Sequence, residues 1–160
     1  MAELRIVADL CEVPSRIPAM LEELGADVEI RPLAAGDYVL ELGWVVERKT
    51  VRDLHGSVLA GRFWTQIGKL RREARRPCLL IEGPDLDAGE LSPNAVRGVC
   101  VTVLDVGVAI LPSRDAADSA RWLSGSGPSA ESRPAAHPPS RRSPRAVPAS
   151  PARARLGRGT

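Results

Sequence analysis

Hydrophobic and polar positions follow strand-like and helix-like periods over the first 124 residues of the chain. Residues 4–9 form a short apolar run of the kind expected for a buried strand. Apolar residues at helical spacing predict a helix capped by Ser15 and ended by Gly25, and a longer helix from residue 62 to about residue 75. The other predicted elements are strands at 28–33, 37–40, 44–49, 78–82 and 107–111, and helices at 51–61, 92–103 and 114–123. This order predicts an α/β fold with a central mixed sheet flanked by helices.

The predicted strand at 44–49 carries three consecutive charged residues, Glu47, Arg48 and Lys49. Because side chains alternate along a strand, Glu47 and Lys49 share one face and Arg48 points to the other. Asp37 begins the preceding predicted strand, and so short a loop joins the two strands that we expect them to be antiparallel neighbours. Asp37 and Glu47 are therefore expected to lie within reach of one ion.

An Asp followed by Glu-x-Lys on an adjacent strand is typical of metal-dependent phosphodiesterases with a restriction-endonuclease-like core. Asp37 and Glu47 are the first candidates to hold Mg²⁺ or Mn²⁺, since hard cations prefer oxygen ligands. Asp9 and Glu12, at the end of the first strand, could hold a second ion or orient water. Lys49 could position the attacking water or stabilise developing negative charge. The alternative is that these acids are ordinary solvated surface charge.

The use of lysine in the chain favours a catalytic site on this strand over ordinary solvated surface charge. Before residue 124 the chain has 13 arginines and only two lysines, Lys49 and Lys69. A sequence that uses arginine at nearly every basic position nevertheless has lysine where a compact ammonium group would matter.

Several motifs in the correct order resemble the nuclease domain of the XPF family of structure-specific DNA endonucleases. They include Gly36-Asp37-Tyr38 and Val46-Glu47-Arg48-Lys49 with Asp53, and the resemblance covers roughly residues 4–124. It implies a restriction-endonuclease-like fold and the catalytic set Asp9, Glu12, Asp37, Glu47, Arg48, Lys49 and Asp53, with Asp9, Asp37 and Glu47 as metal ligands. From the residues alone, an Arg48–Asp53 ion pair that supports the strand is as good an account of those two residues as direct catalysis.

Two features depart from the family pattern. Cys11 stands where the first motif usually has arginine, and nothing in the chain resembles the helix-hairpin-helix module with which family members grip DNA. The resemblance implies a metal-dependent endonuclease acting on branched or flapped DNA in repair or recombination. The departures keep a second hypothesis open, a catalytically weak or inactive scaffold or dimer partner. A third is a nuclease with a different target, such as phage or mobile-element DNA.

The helix predicted after the motif offers a candidate DNA-binding face. Arg62, Gln66 and Lys69 recur on one side of it and could contact the phosphate backbone, although a solvated helix surface would look the same. His55 lies near the motif, but the resemblance gives it no role, and we interpret it as structural.

Charge is distributed unevenly along the 160 residues. Seven of the 22 basic residues and only one of the 20 acidic residues follow Leu123, so the body carries a net charge of −4 and the remainder +6. Residues 125–160 are rich in Ser, Pro, Ala, Gly and Arg without apolar periodicity, a composition that predicts a disordered tail following a nuclease domain at 1–124. Such a tail could be inert, could attract phosphate, or could be an out-of-frame remnant of a lost module.

Oligomeric state and location complete the expectations. The last two predicted helices carry apolar arcs wide enough to predict a homodimer through the C-terminal half, a pairing that the resemblance also implies. The arcs comprise Ala95, Val96, Val99, Cys100, Val103, Ala117, Ala120, Trp122 and Leu123. No signal peptide and no apolar run near the roughly 20 residues of a membrane span is found, so we expect a soluble, cytoplasmic protein without membrane association.

Overall fold

A six-stranded mixed sheet forms the centre of the described chain. The computed structural model describes residues 4–125. The strands are β1 (Arg5–Ala8), β2 (Asp27–Ile30), β3 (Tyr38–Val39), β4 (Trp44–Thr50), β5 (Arg76–Glu82) and β6 (Ala109–Ser113). They lie in the order β2-β1-β3-β4-β5-β6, with β3 antiparallel to both neighbours and every other pair parallel. The predicted mixed sheet is therefore confirmed, and so is the antiparallel pairing of the two motif strands.

Five α-helices cover the two faces of this sheet. They are α1 (Ile17–Glu23), α2 (Val51–Leu59), α3 (Phe63–Glu73), α4 (Pro93–Asp105) and α5 (Ala116–Ser124). One core cluster joins the sheet to α1 and α5, through residues such as Leu21, Val46 and Leu123. A second joins the other face to α2, α3 and α4, through Leu54, Leu79 and Val103. Two separate cores on opposite sides of β4 mean that alternate residues of this strand enter different environments.

The sequence predicted most elements but missed two 3-10 segments, a short one at Glu41–Gly43 between β3 and β4 and a longer turn after β1. Leu10–Ser15 forms the turn after β1, and Arg16, in a left-handed conformation with φ of 65°, links it to α1. Pro14 lies inside the turn, and Ser15 accepts a hydrogen bond from the Ile17 amide rather than starting a longer helix. The turn matters for function because it buries Glu12.

The edge strand β2 is shorter than predicted, and β6 is displaced toward the C-terminus. β2 ends at Ile30 rather than at residue 33, because Pro32 supplies no amide hydrogen for continued pairing. The strand predicted at 107–111 begins two residues later, after Gly107 adopts φ of 85° at the end of α4. Within residues 4–125, no helix is both long enough and apolar enough to cross a bilayer. The predicted disordered tail lies outside the described residues.

Candidate active site

Asp37 and Glu47 meet where β3 pairs with β4. Tyr38 is the register partner of Val46, and the Asp37 amide donates to the Val46 carbonyl at 2.8 Å. The carboxylate of Asp37 accepts a hydrogen bond of 2.8 Å from the backbone amide of Arg48, which fixes it against the motif strand. The two acids are therefore side by side, as the pairing of the strands predicted.

Both carboxylates are costly to ionise where they lie. Burial, followed by the charges of Glu47 and Glu12, raises the pKa of Asp37 to about 8. Burial also raises the pKa of Glu47, against the opposing charge of Lys49. Neighbouring half-buried carboxylates favour protons or a cation, because either relieves their repulsion and their loss of hydration. The donor chemistry fits a divalent ion, since Mg²⁺ is commonly bound by one or two carboxylates and retains several waters.

Lys49 supplies the positive charge on the same face. It is only 7% exposed, and its Nζ lies 4.0 Å from Glu47 Oε1 and donates to Gln66 Oε1 at 3.1 Å. Gln66 comes from α3, so this helix holds the ammonium group of Lys49 beside the two acids. A buried lysine with a fixed amine is suited to orienting water or a phosphate oxygen.

Asp9 lies near this pair, but its carboxylate already accepts hydrogen bonds from two backbone amides. Its two carboxylate oxygens accept hydrogen bonds from the amides of Cys11 at 2.9 Å and Leu33 at 2.8 Å. These backbone hydrogen bonds hold the pKa of Asp9 below its ordinary value. Within the described part of the chain, no three His, Cys, Asp or Glu side chains are arranged to hold a metal ion together. Asp9 as a third ligand stays a prediction.

Glu12 belongs to the opposite face of β4. Its Oε2 accepts a 2.6 Å hydrogen bond from the hydroxyl of Tyr38, and Arg48 Nη1 lies 3.4 Å from the same oxygen. The 3-10 turn after β1 thus delivers Glu12 to Arg48 rather than to the Lys49 side. Its charge still acts through the sheet, because it contributes to the raised pKa of both Asp37 and Glu47.

Arg48 pairs with Glu82, and the alternative of an Arg48–Asp53 ion pair is wrong. The guanidinium donates to the two carboxylate oxygens of Glu82 at 2.8 and 2.7 Å, a bidentate geometry. Ser119 of α5 donates to the same carboxylate at 2.6 Å. Asp53 cannot reach this network, because α2 packs on the other face of the sheet.

Glu82, Tyr38 and Ser119 were not predicted from the sequence. Glu82 has a recognisable signal, since it ends the buried strand β5, which is parallel to β4 and whose last residue therefore lies at the same edge as Lys49 and Thr50. Ser119 has none, because only the packing of α5 brings it to Glu82.

Asp53 and part of the predicted DNA-binding face line a cleft next to Lys49. Arg62, immediately before α3, and Gln66 contribute to this cleft of about 480 Å³ together with Asp53. Lys69 is exposed, and its charge lies close enough to Glu47 to offset part of the rise in the pKa of that acid. His55 is buried with both ring nitrogens hydrogen-bonded to backbone, which agrees with its structural interpretation.

Residues 8–125 match the ERCC4 domain family. The chain belongs to the ERCC4 domain family. This ERCC4 domain is 38% identical over 123 residues to the 3'-flap repair endonuclease Xpf of Saccharolobus solfataricus, a match that covers 75% of this chain and 53% of that protein. It is 43% identical over 93 residues to the DNA repair endonuclease XPF of Cricetulus griseus, covering 58% of this chain and 10% of that protein.

Solved structures give the same result for the ERCC4 domain. XPF from Aeropyrum pernix superposes with a TM-score of 0.70 at 27% identity, covering 76% of this chain and 62% of that one. The same protein in complex with DNA gives a TM-score of 0.69 at 26% identity, covering 77% and 62%. The mixed sheet flanked by helices is therefore the fold of the XPF nuclease domain. The described chain spans only part of the relatives that it matches.

Proposed function

We propose that this ERCC4 domain is a Mg²⁺- or Mn²⁺-dependent endonuclease that hydrolyses phosphodiester bonds in branched or flapped DNA. The observation that carries the proposal is a pair of half-buried carboxylates, Asp37 and Glu47, beside the buried Lys49. Support also comes from the relatives, one of which is named as a 3'-flap repair endonuclease, and from a structural neighbour solved with DNA. Because branched and flapped DNA arises during repair and recombination, we propose that the domain acts inside the cell.

Asp37 and Glu47 would hold the ion, with Asp9 available from the neighbouring strand. When bound, a divalent ion lowers the pKa of its water and polarises the phosphoryl group. The amide of Arg48 keeps the Asp37 carboxylate oriented, so that the acid need not reorganise when charge arrives. Lys49, held by Gln66, would orient the attacking water and stabilise negative charge on the phosphate.

Labelled flap, fork and linear duplex DNA, incubated with and without Mg²⁺ or Mn²⁺, tests the proposal. We expect metal-dependent cleavage of the branched substrates. Asp37→Asn or Glu47→Gln should reduce the cleavage rate more than about 100-fold, which exceeds the loss typical of a residue that contacts a metal ligand but not the metal. The exposed acid Glu41 provides the matched control, and Glu41→Gln should cut as fast as the wild type. Cleavage by either site variant at the wild-type rate with saturating metal would refute the site assignment. A properly folded wild type that binds but never cuts would favour the inactive-scaffold alternative.

We also infer a homodimer through the C-terminal half, but only part of the predicted arcs can contribute to its interface. Val96, Val99 and Val103 are at most 8% exposed because they pack on the domain's own sheet, so they cannot form the interface. The large apolar residues exposed on these two helices are Val101 and Leu104 on α4, at 65% and 56% exposure, and Trp122 of the predicted arcs on α5, at 45%. Sedimentation at micromolar concentration should give a dimer that Leu104→Glu dissociates. A monomeric wild type would contradict the inference.

A further inference from the structure

The cleft next to Lys49 is walled by three segments of the chain. Helix α2 contributes Gly56, the start of α3 contributes Arg62 and Gln66, and the loop between β5 and α4 contributes Ala88 and Gly89. The volume of about 480 Å³ falls within the range of roughly 300–1,000 Å³ in which small-molecule sites occur. The candidate ion site is adjacent, because Lys49 lines this cleft and its ammonium group also lies beside Glu47.

The loop wall is held in place by the buried His55. The Leu91 amide donates to its Nδ1 at 3.1 Å, which leaves the proton on Nε2, 2.9 Å from the Leu86 carbonyl that accepts it. A side chain on Gly89 would overlap the imidazole ring, so the loop lies directly against the helix. One neutral histidine thus fixes both ends of the wall, and the cleft is a built feature of the domain.

The lining combines cations with small residues and acids. Lys49, Arg52 and Arg62 offer charge-assisted hydrogen bonds to a phosphate. The lining also includes Asp53 and Glu90, which disfavour a bare polyanion but can accept hydrogen bonds from the amino group of a base.

Size and chemistry together select the ligand. Gly56 and Ala88 lack bulky side chains, and the space beside Gly56 is open, so a flat ring can approach the backbone there. A duplex is too wide, since its major groove alone is about 12 Å across. A single nucleotide with its phosphate satisfies the volume, the cations and the acids at once.

We propose that this cleft receives one unpaired nucleotide of the DNA strand next to the scissile phosphate. The base lies between the small-residue walls, and Arg52 and Arg62 contact its phosphate. The cleft would then recognise the unpaired part of a branched substrate, while Asp37 and Glu47 act on the adjacent bond. The inference rests on the proposed function and gives its preference for branched DNA a physical cause.

Filling the cleft tests the proposal. Ala88→Phe places a ring between the walls without altering a charged or candidate catalytic residue, and Ala19→Phe, at an exposed position on α1, is the matched control. Fluorescence anisotropy of the full chain in metal-free buffer compares flap DNA with linear duplex. We expect Ala88→Phe to weaken flap binding at least about fivefold, the scale of one lost base contact, and to leave duplex binding unchanged. Ala19→Phe should bind both as the wild type does.

An abasic probe identifies the base itself. Flap DNA lacking a base at the first, second or third unpaired position should bind the wild type about fivefold more weakly at one of these positions. At that position the loss should vanish in Ala88→Phe, because the variant has already excluded the base. Unchanged flap binding by a folded Ala88→Phe, or losses from the variant and the probe that simply add, would overturn the inference. If the wild type never cleaves but Ala88→Phe still loses flap binding selectively, the proposed activity is refuted and the role of the cleft stands.

Discussion

The two faces of β4 differ in how completely their charges are satisfied. On the face toward α1 and α5, Arg48 has a bidentate partner in Glu82 and a second acid in Glu12. On the face toward α2 and α3, the acids Asp37 and Glu47 have no bidentate partner, and their nearest cation is the ammonium group of Lys49. Adjacent residues of one motif therefore enter opposite electrostatic environments, because the strand alternates and each face has its own core.

The pKa shifts follow the same division. Burial alone would raise the pKa of Glu82, but hydrogen bonds from Arg48 and Ser119 outweigh it and hold the pKa below its ordinary value. On the opposite face burial prevails, and the pKa values of Asp37 and Glu47 are raised. We infer that the satisfied face supports the strand, while the unsatisfied face is the one prepared for a ligand. An acid's partners, more than its burial, distinguish the two roles.

Removing Glu82 should have the largest effect on stability. In Glu82→Ala the guanidinium of Arg48 keeps only the longer contact with Glu12, and Ser119 loses its acceptor. We expect the free energy of unfolding to fall by about 2 kcal/mol, less than the roughly 3–5 kcal/mol for a fully buried pair, because the two side chains keep 13% and 11% exposure. Denaturant titration measures it. Glu82→Gln, which retains an acceptor, should lose less, and a loss under about 0.5 kcal/mol in the alanine variant would show that this face is not structural.

Tyr38→Phe tests a single link of the satisfied face. It removes the hydroxyl that donates to Glu12 at 2.6 Å and leaves the ring in the core. A hydrogen bond to a charged group contributes about 1.5–3 kcal/mol, so we expect the variant to lose about 1.5 kcal/mol in the same titration. A stability equal to that of the wild type would mean that Glu12 is held by Arg48 alone.

Asp37→Asn should act in the opposite direction on the metal-free protein. Because the pKa of Asp37 is raised from 3.8 to about 8, its contribution to folding is complete below about pH 4 and is lost as the pH rises toward 8. The asparagine cannot ionise, so in chelator at pH 8 the variant should melt at least about 3 °C higher, equivalent to roughly 1 kcal/mol. At pH 4 the difference should shrink. If the variant and the wild type differed in melting temperature by the same amount at both pH values, ionisation of Asp37 would not destabilise the fold.

The sequence alone determined the architecture and the pair of acids. Strand alternation placed Glu47 and Lys49 on one face, and the short loop after β3 brought Asp37 to Glu47, since both inferences depend only on local geometry. The order of strands and helices likewise predicted the mixed sheet with helices on its two faces. Each of these elements, and the pair of acids, is encoded by residues that lie close together along the chain.

Only the tertiary structure decided the partners of the remaining charges. Glu12 lies 36 residues from Arg48 along the chain and Glu82 lies 34 residues from it, and no periodicity links such distant positions. The burial of α4 was likewise decided by the fold, since Val99 of the predicted arc proved to be core while Leu104, outside that arc, is exposed. Helical spacing gives the width of an apolar stripe, but the angle at which a helix meets its sheet decides which part of the stripe is buried. Pairing between distant charges and the docking of helices depend on the whole fold, and they determine what each motif residue can do.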